Sequence, residues 1–234
     1  NLAGLTGADL GPAWTQVAEA LRCLASREVR DRPAVVAVRA KDGFDGPGAV
    51  QALELLGLRS LLALDRVALE ESIEALVDFG EDGNEAQLHL SGWLAYLQGD
   101  GESAQECGQD LEARSRARGQ SMGVVQGAVL AAAGLLSSGS PPEALQQVRR
   151  AARMAQSERL WTSNFLAGIL LARARRMNGQ AYLAARVASA CRSASGGEWA
   201  AWLDWEIFFA GSTPCVMEHP RPIDKARMGV AAWL

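Results

Sequence analysis

The sequence predicts an all-α protein, a solenoid of stacked antiparallel helical hairpins, and three observations carry that expectation. Gly99, Gly139 and Gly179 recur at intervals of 40 residues. Each is followed five positions later by an alanine (Ala104, Ala144, Ala184) and preceded by seven positions by a small residue (Gly92, Ala132, Ala172). Twelve positions after each glycine stands an apolar residue, Leu111, Ala151 or Cys191. A glycine permits the left-handed backbone that ends a helix, and small residues let the two helices of a hairpin approach closely. A fixed period of this length marks a repeat array in which neighbouring hairpins share one continuous core.

From the N-terminus, residues 12–26 place Trp14, Val17, Leu21 and Leu24 at the spacing of an amphipathic helix. Residues 33–38 suit a short strand by their valines, or a helix by Asp31 as cap and Pro33 in the first turn. Residues 41–48, with Gly43, Gly46, Pro47 and Gly48, form the clearest loop and boundary. The apolar run 48–64, rich in leucine and alanine, predicts a helix. Its partner is expected at about 67–79, where Ala68 and Ala75 repeat the seven-residue spacing of Ala144 and Ala151. Three clear units follow, at about 85–119, 125–157 and 165–195. Trp199, Trp202 and Trp205 then lie three apart on one further helix, as a capping core or as a docking face where a second copy would pair. With Pro214, Pro220 and Pro222 close together, the last twenty residues read as an extended tail. The expected organisation is an N-terminal helical segment (1–47), a repeat domain (48–211) and a proline-containing tail (212–234).

The three units resemble the tetratricopeptide repeat family, whose two-helix unit carries small residues at its eighth and twentieth positions, a turn glycine and a small residue near the twenty-seventh. The period here is longer than that family's usual one, and Ala95, Leu135 and Arg175 replace the aromatic expected in the first helix. A long, degenerate period is similar to the sensor regions of bacterial signalling proteins of the maltose-regulator type. The resemblance implies a right-handed superhelix with a concave groove, a cytoplasmic bacterial setting, and service within a larger signalling or transcription regulator. A chain starting at Asn1 also predicts a piece of something longer.

In that register the first helix of each unit lines the groove. The lining residues are Ala86, His89, Trp93 and Tyr96, then Gln126, Val129, Ala133 and Leu136, then Leu166, Ile169, Arg173 and Arg176. His89, Trp93, Tyr96, Gln126, Arg173 and Arg176 are the candidate partner-binding residues, suited to a peptide with an apolar anchor and an acidic group. Trp93 and Tyr96 at helical spacing equally suit packing between repeats, and His89 suits an ordinary half-buried position. Leu90, Leu130 and Leu170 occupy the places where the family's asparagine carboxylate clamp would stand, so that clamp is not carried over.

No catalytic pattern is found. The two histidines, His89 and His219, carry no metal-binding spacing, and Cys23, Cys107, Cys191 and Cys215 form no CxxC pair. Neither a GxxxxGK[ST] loop nor a GxSxG elbow occurs. The expectation is a non-catalytic scaffold with no cofactor and no metal, whose partner is a protein, a peptide or a small effector. No apolar stretch reaches the length of a membrane span.

Charge is uneven. Residues 65–85 hold eight acidic residues against Arg66 alone, and residues 149–192 hold nine arginines and no lysine against Glu158 alone. The net charge of -4 disfavours a wholly anion-binding surface, but the arginine block supports a second expectation, nucleic-acid binding through one face.

Overall fold

A computed structural model describes residues 47–193 and 197–211. The segments expected at 12–26 and 33–38, most of the glycine-rich loop, the tail and the side chain of Trp199 lie outside the described residues. Within them the protein is all-helical, with no strand.

Among the described residues nine α-helices run in order: α1 Pro47–Leu62, α2 Arg66–Val77, α3 Asn84–Leu97, α4 Gly101–Ala117, α5 Ser121–Ser137, α6 Pro141–Ser157, α7 Trp161–Met177, α8 Ala181–Ser193 and α9 Gly197–Phe209. A 3-10 turn, Gly80–Asp82, separates α2 from α3. The helix expected at 48–64 is α1 and its partner is α2, each ending two residues earlier than the apolar pattern suggests.

The expected turn glycines have the predicted conformation, with φ of 80° at Gly99, 77° at Gly139 and 72° at Gly179. The same conformation recurs midway between them, at Gly119 (72°) and Arg159 (57°). The structural period is therefore 20 residues, one helix and one turn, and the 40-residue glycine spacing counts every second turn. At each of these five turns the chain closes a Schellman cap. The residue after the left-handed one donates its N–H to a carbonyl five positions back: Asp100 to Ala95 at 2.9 Å, and Gln120, Ser140, Leu160 and Gln180 to Ser115, Leu135, Ala155 and Arg175 at 2.8 Å. Arg159 reaches this backbone without glycine's freedom because its turn satisfies the same orphan carbonyls.

Each helix packs on the next in sequence. The odd-numbered helices α1, α3, α5, α7 and α9 also pack on one another in succession, and α9 reaches back to α1. There the buried Trp202 Nε1 donates to the Leu62 carbonyl at 2.8 Å, across 140 residues of sequence. The odd helices thus lie inside and the even ones cover them. Trp202 and Trp205 are buried, which places this part of the tryptophan helix in the capping core.

The closest helix contact joins α4 to α5. A Cβ at Gly108 would stand 2.4 Å from the Ala131 nitrogen, one at Gly127 2.5 Å from the Glu112 nitrogen, and one at Gly134 2.5 Å from the Gln105 nitrogen. The obstacles are backbone atoms, which cannot swing aside, so backbone meets backbone along two turns of helix.

Candidate functional site

The six candidate partner-binding residues are brought onto one face of the inner helices, where they bind one another directly or through Glu54 and Glu206. Trp93 Nε1 donates to His89 Nε2 at 2.9 Å. An indole N–H is a donor only, so this nitrogen accepts, and His89 Nδ1 carries the proton that it gives to Glu54 Oε1 at 2.7 Å. Gln126 Nε2 donates to the same carboxylate oxygen at 2.7 Å. Both ring nitrogens of His89 are thereby engaged, in a residue only 1% exposed.

From Trp93 the chain continues by an edge-to-face contact with Tyr96, ring centres 5.6 Å apart. The Tyr96 hydroxyl accepts from Arg173 Nη1. Arg173 Nε donates to Glu206 Oε1 at 2.8 Å, and Arg176 Nε to Glu206 Oε2 at 3.0 Å. The Arg173 guanidinium lies over the Trp202 ring, 5.4 Å from its centre, and Arg176 lies over Phe209 at 5.3 Å. Burial raises the Tyr96 pKa, although Arg173 beside it acts the other way. Burial alone would lower the Arg173 pKa, but Tyr96 and Glu206 outweigh it and keep the guanidinium charged.

Gln126, Glu54, His89, Trp93, Tyr96, Arg173, Glu206 and Arg176 therefore form one continuous polar and aromatic chain. It draws on all five odd helices. His89, Trp93, Tyr96 and Arg173 are buried, while Gln126 and Arg176 are half-buried. Of the other expected lining residues, Ala86, Val129, Ala133, Leu136, Leu166 and Ile169 are buried too. A face expected to meet a partner is an interior whose groups have partners from the protein itself. Burying an arginine and two carboxylates is tolerable only because each is paired and hydrogen-bonded.

Glu54 and Glu206 were not singled out from the sequence, because α1 and α9 lie outside the three clear repeats. A signal was present. Glu54 is the sole carboxylate of α1, and Glu206 follows Trp205 and precedes Ile207 among the aromatic residues of α9, where a buried acid needs a cation or donor.

The outer surface is organised differently. Of the nine arginines between residues 149 and 192, four are ion-paired to acids outside that run: Arg150 to Glu112, Arg173 and Arg176 to Glu206, and Arg192 to Asp204. Glu112 also takes Arg116, so one carboxylate on α4 serves two cations. Arg149, Arg153, Arg159, Arg175 and Arg186 form no ion pair among the described residues; Arg186 lies over the Tyr182 ring at 5.7 Å. Arg153 lines an open cleft of about 480 Å³ together with Leu135, Glu143, Gln146, Gln147 and Arg150. In the acidic run, Asp65 caps α2 through the Ala68 N–H, Arg66 pairs with Glu70, and Arg118 pairs with Glu85.

Cys107 and Cys191 are free and half-buried, and burial pushes both thiols up, away from the reactive thiolate. Among the described residues no group of three or more His, Cys, Asp and Glu is arranged to hold a metal ion. No described helix is long and apolar enough to cross a membrane. No family model, curated protein or solved structure matches the chain.

Proposed function

We propose that the protein is a non-catalytic helical-repeat scaffold, a right-handed tetratricopeptide-like solenoid, that binds an acidic protein or peptide within a larger bacterial, cytoplasmic signalling or transcription regulator. Its working surface is the arginine face of α6 to α8 and not the inner face. One observation carries this reading: Glu206 engages Arg173 and Arg176 inside the protein, whereas Arg149, Arg153, Arg159, Arg175 and Arg186 meet no acid among the described residues. Guanidinium groups without internal partners favour ligands that present carboxylate or phosphate in a planar fork. The engagement of both His89 nitrogens supports the non-catalytic half of the reading, since neither can take a proton from a substrate without breaking a buried hydrogen bond. The regular 20-residue period supports the repeat architecture.

The unpaired arginines also favour a second reading, a nucleic-acid face, which requires binding that weakens steeply with salt. A nuclease-treated pull-down separates the two. Wild type is compared with Arg149→Glu/Arg153→Glu/Arg186→Glu, all three exposed positions, with unchanged helical circular dichroism as the check that the variant folds. A protein retained by wild type and lost by the variant is the expected result. Retention abolished by nuclease supports the nucleic-acid reading, and a protein held equally by both sinks the arginine face.

A further inference from the structure

We propose that Arg149, Arg175 and Arg186, one from each of α6, α7 and α8, form a binding site for a phosphate monoester dianion. The inference rests on the arginine-face reading and gives it a ligand chemistry. The three helices follow one another and pack consecutively, and the C-terminal end of α7, where Arg175 lies, meets the start of α6 through Asn178 Nδ2, which donates to the Pro141 carbonyl at 2.9 Å. No acid among the described residues pairs with any of the three. Arg175 is the centre of the group: it is half-buried, and its Nε is shielded from solvent and donates to no acceptor. An orphaned charged donor of this kind is costly, and native structures rarely keep one without a reason. Burial lowers the Arg175 pKa, and Arg149 and Arg186 press it the same way, so the cations are near enough to repel one another.

Gln180 sits between Arg175, whose carbonyl takes its N–H, and α8, whose first turn it opens by accepting from the Ala184 N–H at 2.9 Å. The N-terminal end of α8 adds positive potential to a corner that already holds three guanidiniums.

The charge count decides the ligand class. A carboxylate brings one negative charge and two oxygens, which suits one guanidinium fork. A phosphate monoester brings nearly two charges and three terminal oxygens, which can offset mutual repulsion among three cations. A nucleic-acid phosphodiester carries one charge per group spread along a strand, which fits a linear track better than a cluster around one half-buried residue.

The test is isothermal titration of the full chain with potassium phosphate, with a phosphoserine peptide, with potassium acetate and with a single-stranded oligonucleotide, all at matched ionic strength. Phosphate and phosphopeptide are expected to bind and acetate not to. A tighter phosphopeptide puts the group on a polypeptide; equal affinity puts it on a small molecule; both support the site. Arg175→Gln and the exposed Arg186→Gln are each expected to weaken phosphate at least tenfold, with the exposed Arg66→Gln on α2 unchanged. Without phosphate, the Tm of Arg175→Gln is expected to match or exceed that of wild type, because the change removes repulsion. Phosphate acting no differently from chloride, oligonucleotide outcompeting phosphate at equal phosphorus, or a phosphate-free Arg175→Gln protein of lower Tm would each overturn the site. Phosphate binding with no protein captured in the pull-down would remove the scaffold reading alone, and the converse would remove the phosphate site alone.

Discussion

Helices α5 and α6 are neighbours of equal length, yet α5 buries twelve of its seventeen residues and α6 only five. On α6 the buried set, Ala144, Leu145, Val148, Ala151 and Ala155, follows one stripe, as expected of a helix with a single partner face. On α5 burial runs all the way round, because α4, α6, α3 and α7 surround it. The same contrast governs charge. An inner arginine such as Arg173 is fixed by Glu206, Tyr96 and Trp202, whereas an outer one such as Arg153 is exposed in an open cleft. Arginine therefore has two roles in this chain, and whether an acid of a packed neighbour meets the guanidinium decides which: Arg175 shares α7 with Arg173 and Arg176 but pairs with no acid among the described residues, whereas Arg150 on α6 and Arg192 on α8 are paired.

The sharpest way to break this contrast is Arg173→Met. It leaves Glu206 buried with only Arg176, and losing one partner of a buried pair costs about 3–5 kcal/mol, read as a lower urea midpoint. Adding Glu206→Leu should restore much of that loss. A single variant as stable as wild type would show that the inner chain does not hold the helices together.

Gly108→Ala probes the inner helices through shape instead of charge. The new methyl meets the Ala131 backbone, so α4 and α5 must part, at a cost of about 1–3 kcal/mol. The exposed Gln146→Ala on α6 should change stability by less than about 0.5 kcal/mol. Comparable losses at the two positions would erase the distinction between inner and outer helices.

The smallest effect has the opposite sign. Arg159 holds φ of 57° where the other turns of the series use glycine, so Arg159→Gly should raise stability, by about 1 kcal/mol or less. A loss there would mean that the Arg159 side chain holds a contact worth more than the strain it relieves. Within the phosphate proposal Arg159 stands apart, so the same variant should leave phosphate affinity unchanged.

Much of the fold was legible in the sequence because turns are local. A left-handed residue and a Schellman cap depend on six consecutive residues, and Gly99, Gly139 and Gly179 announced them. The true period was hidden by Arg159, which fills a glycine place with a residue that gives no turn signal. The candidate site was legible in part. The repeat register put His89, Trp93, Tyr96, Gln126, Arg173 and Arg176 on one face, and they do meet there. Their exposure was not legible, since it depends on Glu54 and Glu206, which stand 35 and 33 residues from the side chains they bind.

By itself, then, the sequence determined that the chain is helical, where most helices end, and which side chains share a face, all properties set by spacings of a few residues. Only the tertiary structure decided that this face turns inward. Bringing α9 onto α1 through Trp202 and Leu62 removes water from the inner helices, and charged side chains there must pair with one another or not be buried at all. The same closure left the outer arginines in contact with solvent.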